Sequence, residues 1–139
     1  MRQAQKEITV ATSGQGLYEI SDAVRAFAAS TSIETGQLTA YCRHTSASLL
    51  IQENADPDVQ RDLVAFFRRL VPDGDPLFVH TIEGPDDMPA HVKSALTQTS
   101  ITIPIVRSVL ALGTWQGLYL FEHRRSPHAR KVVLHVVGV

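Results

Sequence analysis

Along most of this chain apolar residues alternate with polar ones, and three stretches with helical spacing interrupt the alternation. Ile8 and Val10 stand among polar neighbours and predict an opening strand, which Gly14 and Gly16 break. Ser21 then sits where a helix cap would, ahead of Val24, Phe27, Ala28 and Thr31, so a helix to about Ser30 with those positions facing the core is expected. From Gln37 to His44 the period returns to two, which puts Leu38, Ala40, Cys42 and His44 on one face of a strand. Ser48 to Glu53 reads as the next strand. Asp56-Pro57 opens a second helix, with Asp56 as cap and Val59, Leu63, Phe66, Phe67 and Leu70 as a buried stripe.

Pro72-Asp73-Gly74-Asp75-Pro76 is a break, followed by a short expected strand from Leu77 to His80. A third helix is expected from Pro89, with Val92, Ala95, Leu96 and Thr99 inward. Ser100 to Val106, Trp115 to Glu122 and Lys131 to Val137 supply the remaining strands. Pro104 marks an edge or a bulge in the first of these. The last is apolar nearly throughout and predicts cover on both faces. The pattern is α+β: one domain over residues 1–139, a mixed, mostly antiparallel sheet or sandwich, and about three helices.

Composition narrows the function. With 139 residues, 44% apolar and 19% charged, the chain is an ordinary globular protein with room for a core. A net charge of −1 argues against a general nucleic-acid binder, although Arg124, Arg125, Arg130 and Lys131 suggest a local basic patch. Cys42 is the single cysteine, so no disulfide closes within the chain. No signal-like segment opens the chain, and no apolar run nears the roughly 20 residues that span a bilayer. A cytoplasmic location is expected, with no membrane partner.

The chemistry concentrates in two strings. His44-Thr45-Ser46-Ala47-Ser48 and Glu53-Asn54-Ala55-Asp56 flank the apolar Leu49-Leu50-Ile51, and His80 to Lys93 is the second cluster. Taken singly, each histidine is more often a hydrogen-bonded core or surface residue. Together, His44, His80 and His91 form a candidate ligand set for a divalent metal, Zn²⁺ or a similar ion with Mg²⁺ also compatible, with one position open for water or substrate. Glu53 and Asp87 are the candidate proton-transfer groups, and the alternative for Asp87 is a helix cap. Lys93 and the third helix's N-terminus suit an anion. Asn54 and Gln116 are further binding candidates; Asn54 could equally fix a turn. Glu122 is assigned to a nearby arginine, Cys42 to an inert core position, and Gly113 to Gly117 to a close backbone approach.

His44-Thr45-Ser46-Ala47-Ser48, Glu53-Asn54-Ala55-Asp56, Glu83 to Lys93, Leu112 to Gly117 and Glu122-His123-Arg124 occur here in an order that resembles the YjbQ family, also called the secondary thiamine-phosphate synthase enzyme family. The resemblance runs from about residue 5 to the end. It implies a compact α+β subunit in a homotrimer, with clefts near subunit boundaries lined by His44, His80 and His91. It also implies weak thiamine-phosphate synthase activity, the joining of a pyrimidine diphosphate to a thiazole phosphate. The expectation that follows is a metal-assisted enzyme acting on a small phosphorylated or otherwise anionic metabolite. The alternative is a non-catalytic trimeric protein that binds a metabolite or a metal, and a third reading is a scaffold whose polar groups join subunits.

Overall fold

The alternating segments pair into two sheets. In the computed structural model, which describes residues 1–139, the strands are β1 (Arg2–Thr12), β2 (Gly16–Glu19), β3 (Thr35–Cys42), β4 (Ala47–Glu53), β5 (Ser100–Val106), β6 (Val109–Leu110), β7 (Gln116–Glu122) and β8 (His128–Gly138). The helices are α1 (Ser21–Ser30), α2 (Pro57–Leu70) and α3 (Asp87–Leu96). One sheet has the order β1-β8-β3-β5-β6 and the other β2-β7-β4. Every pairing is antiparallel, so the fold is one α+β domain without the parallel component that "mixed" would allow.

The core lies where inward residues of the two sheets meet: Leu38 and Ala40 on β3, Leu134 and Val136 on β8, Leu49 on β4 and Leu118 on β7, with Val24 and Phe27 of α1 packed in. Leu49 also exchanges backbone hydrogen bonds with Gln98, which ties the start of β4 to the segment leaving α3. At one end of the core Glu122 of β7 meets Arg130 of β8, both buried. Glu122 also accepts from the Thr12 hydroxyl at 2.6 Å. This buried pair joins the two sheets and supplies the arginine expected for Glu122. It also removes Arg130 from the expected basic patch. Arg124 is consumed in the same way by Asp86 and Asp87.

Several expectations are corrected. The segment Leu77 to His80 is irregular, not a strand. Ser21 starts α1 without capping it; its hydroxyl donates to Glu19 and accepts from the Leu118 N–H. Asp56 does cap α2, accepting from the Asp58 N–H at 2.9 Å. Yet no residue of α2 is buried, and Phe66 and Leu70 are about half exposed in the single chain. β8 alternates buried and half-buried positions, so in the single chain only one of its faces is fully covered. His135 lies on the half-covered face, 2.9 Å from Gln3 Oε1. No helix is long and apolar enough to cross a membrane.

α3 departs most from the sequence reading. It starts at Asp87, and its buried residues are Asp87, Pro89, Ala90 and Lys93, while Ala95 and Leu96 face outward. Asp87 is held inside by His80, His91 and Arg124.

Candidate functional site

α3 carries Asp87 and His91 four residues apart, hence on one face. The irregular segment before it brings His80 to the same carboxylate. His80 Nε2 lies 2.8 Å and His91 Nε2 3.1 Å from Asp87 Oδ2. These three donor atoms lie within 4.8 Å of one another. The other oxygen, Oδ1, accepts from Arg124 at 2.8 Å, and Arg124 Nε donates to Asp86 at 3.0 Å. Burial alone would raise the pKa of Asp87. The hydrogen bond from His80 and the charges of His91 and Arg124 outweigh it and hold the carboxyl below its ordinary range.

The tautomer of His91 carries the chemical argument. Its Nδ1 lies 2.8 Å from the Thr45 carbonyl oxygen, which can only accept, so Nδ1 bears a proton. In the neutral ring Nε2 is then a bare lone pair, yet it faces a carboxylate oxygen. Two acceptors in contact require a positive charge between them, either a second proton on the ring or a cation. A metal ion held by two imidazole nitrogens and one carboxylate, with a ring N–H donated outward to a backbone carbonyl, is a recurrent arrangement.

His44 stands apart from this trio. Its Nε2 accepts the Lys131 N–H at 2.7 Å, replacing the carbonyl that would continue the β3–β8 ladder. Burial, with the Arg130 charge beside it, lowers its pKa. With Nε2 engaged, the ring has only Nδ1 to offer. His44 and His91 share the wall of an open cleft of about 490 Å³, together with Thr45 and Ser94.

The expected Glu53, Asn54 and Gln116 gather elsewhere. β4 runs from Ala47 beside Glu122 to Glu53 beside Gln116, and six residues of strand span about 20 Å. There Asn54 donates to Glu19 at 3.3 Å, and the Gln116 side chain accepts the Gly113 N–H at 2.7 Å, which fixes its own turn. Glu53 Oε2 is buried without a hydrogen-bond partner. The close approach expected near Gly117 is present: a Cβ there would lie 2.7 Å from Glu19 Oε2. Within one subunit Glu53 therefore cannot serve the histidine trio. Asp87, with both oxygens engaged, fits a ligand and not a base.

Lys93 lies in the last turn of α3, so it forms no joint anion site with the helix N-terminus, where Asp86 and Asp87 already sit. It is buried among charges, its pKa lowered by burial, with Asp73 opposing and Arg68 and Arg125 adding to the shift. His123 packs against Phe121 (ring centroids 4.3 Å apart), and burial, reinforced by the Lys93 charge, pushes it down to about 3. From sequence Arg124 is expected only in a basic patch, and the Thr45 carbonyl and His123 have no assigned role. The string Glu122-His123-Arg124 was the one signal available.

A family model described as "UPF0047 protein YjbQ-like" matches residues 6–139. UPF0047 protein sll1880 of Synechocystis is 52% identical over 137 residues, covering 99% of this chain and 93% of that protein. YjbQ of Escherichia coli O157:H7 is 37% identical, covering 96% and 97%. Among solved structures, an uncharacterized YjbQ/UPF0047 protein of Clostridium acetobutylicum superposes with a TM-score of 0.87 at 32% identity, covering 95% of this chain and 99% of that one. A YbjQ-like protein of unknown function from Sulfolobus solfataricus superposes at 0.91 with 19% identity, covering 99% of each, a likeness of fold.

Proposed function

This chain belongs to the YjbQ-like UPF0047 family, and we propose that it is a divalent-metal-assisted enzyme acting on a small anionic metabolite. His80 Nε2, Asp87 Oδ2 and His91 Nε2 hold the metal. The observation that carries this reading is the His91 ring, whose Nδ1 faces the Thr45 carbonyl while its Nε2 lies 3.1 Å from a carboxylate oxygen of Asp87. Arg124 orients Asp87 from behind, as an outer partner of a ligand does. A bound ion would polarise a substrate oxygen or neutralise a leaving group. The cleft between His44 and His91 reaches the His91 member of the trio, and a separate hollow of about 310 Å³ is lined by His80. The thiamine-phosphate synthase reaction, which releases pyrophosphate, is one chemistry that such an ion suits.

A homotrimer belongs to the same proposal. Support comes from Leu77, Val79 and Ile82, all at least 78% exposed and set around His80, and from the uncovered stripe of α2. A neighbouring subunit would also offer a route for Glu53 to reach a histidine trio. The engagement of both Asp87 oxygens favours a second reading, a metal- or metabolite-binding protein without turnover.

The test is metal content per subunit, on protein purified without a histidine tag, for the wild type and for His80→Ala/His91→Ala. Near-stoichiometric metal in the wild type and none in the folded double variant supports the site. A wild type that takes up no Zn²⁺, Mn²⁺ or Mg²⁺ on incubation rejects it. With metal bound, turnover of phosphorylated substrates separates the enzyme from the binding protein.

A further inference from the structure

The cleft of about 490 Å³ that reaches His91 is lined elsewhere by His44, Arg43, Thr45, Tyr41 and Thr99. Its volume suits a small metabolite. No acidic residue lines it, and Tyr41, Thr45 and Thr99 add hydroxyls to its wall.

The backbone decides what His44 can do there. β3 pairs with β8 as far as Cys42 and Val132. One step further the Arg43 N–H still reaches the Lys131 carbonyl at 3.2 Å, but the Lys131 N–H goes to His44 Nε2 at 2.7 Å. A backbone N–H only donates, so Nε2 is the bare nitrogen and the neutral ring carries its proton on Nδ1. A metal ligand needs a lone pair, and Nδ1 has none to give while the bond to Lys131 stands. Nδ1 has no partner within the chain and is not sealed from solvent. A ring that lines the cleft thus has one free polar atom, a donor on an imidazole that the sheet holds in place.

Arg43 is the one permanently charged side chain lining the cleft. Its Nη1 lies 2.8 Å from Glu7 Oε2, with both side chains more than a third exposed. An exposed pair of this kind holds its members weakly, so the guanidinium is free to turn to a ligand.

We propose that His44 and Arg43 form the anion subsite of this cleft: the His44 Nδ1–H donates to an oxyanion oxygen of the substrate, phosphate or carboxylate, and the Arg43 guanidinium balances its charge. His44 is then a substrate-binding residue and not a third histidine ligand of the metal. The inference rests on the anionic-metabolite reading above but not on the metal.

The test is titration of chelator-treated protein with inorganic phosphate, then with acetate at equal ionic strength, followed by the ¹⁵N resonances of the His44 ring. Before any anion is added, His44 is expected to read as the Nδ1–H tautomer. One anion should then bind saturably at one site per subunit and shift His44 Nδ1. His44→Ala and Arg43→Met are each expected to weaken that binding by about 10-fold or more, with the wild-type metal content kept in both. Tighter binding of phosphate assigns the subsite to a phosphorylated metabolite, and tighter binding of acetate assigns it to a carboxylate; either supports the subsite. A proton on His44 Nε2, no saturable binding of either anion, binding that leaves His44 Nδ1 unmoved, unchanged affinity in either variant, or metal lost from folded His44→Ala overturns it. Should His44→Ala fail to fold, the wild-type Nδ1 resonance and Arg43→Met decide. Because the titration is done without metal, a wild type that takes up no metal rejects the trio and leaves this result intact. Metal uptake without anion binding rejects the subsite alone.

Discussion

The two ends of β4 carry similar numbers of polar residues and use them differently. At the Ala47 end, His80 from an irregular segment, Asp87 and His91 from α3, and Arg124 from beyond β7 converge on one carboxylate. At the Glu53 end, Gln116 closes its own turn onto Gly113 and Asn54 reaches Glu19. The first arrangement costs chain entropy to assemble and buries charge, and the second satisfies the backbone locally. Residues that converge from distant segments onto one buried carboxylate are the better guide to chemistry than residues that are merely polar.

The largest test of that contrast is Asp87→Asn. It removes a proposed ligand and one of the two buried carboxylates paired with Arg124. Stability is expected to fall by about 3 kcal/mol, measured by denaturant unfolding, and metal affinity by at least about 100-fold. Wild-type stability should also fall in acid. Asp86, Asp87 and Glu122 all have pKa values held below the ordinary carboxylate range. For each of them burial opposes the shift and the surrounding hydrogen bonds and charges outweigh it. A group depressed in the folded state stabilises above its unfolded pKa of about 4 and loses that contribution as pH falls through the folded value. Unfolding below about pH 4 should therefore flatten in Asp87→Asn.

A smaller effect is expected for Arg124→Met, which touches no ligand atom: metal affinity down by about 10- to 100-fold, read by competition with a chelating dye. His44→Ala should cost about 1 kcal/mol, for the acceptor it removes from Lys131, with metal content unchanged. Gln116→Ala and Asn54→Ala should cost less than about 1 kcal/mol and leave metal affinity untouched in thermal and titration assays. If either lowered metal affinity as far as Asp87→Asn, the two ends would be one site, joined across subunits.

The strands and helix positions were largely legible. The two-residue period located β3 and β5, strands were expected over β4 and β7 as well, and Asp56-Pro57 marked the start of α2. The site was legible only in part, for two physical reasons. Closeness in sequence across β4 suggested that His44 and Glu53 act together, whereas an extended strand holds its ends about 20 Å apart. On α3, apolarity assigned Val92, Ala95 and Leu96 to the interior. The helix instead turns Asp87 and Lys93 inward, and Asp87 is tolerated there because His80, His91 and Arg124 pair with it. Neither the Thr45 carbonyl that orients His91 nor the engagement of His44 Nε2 by Lys131 has a side-chain signature, since both depend on the backbone.

The most direct measurement is the ¹⁵N imidazole NMR spectrum during titration of metal-free protein with Zn²⁺. The account predicts that Nε2 of His80 and of His91 shift to metal-bound values at one equivalent per subunit, that His91 Nδ1 stays protonated, and that His44 and His123 do not move. Unchanged His80 and His91 resonances, or a shift of His44 in their place, would contradict it.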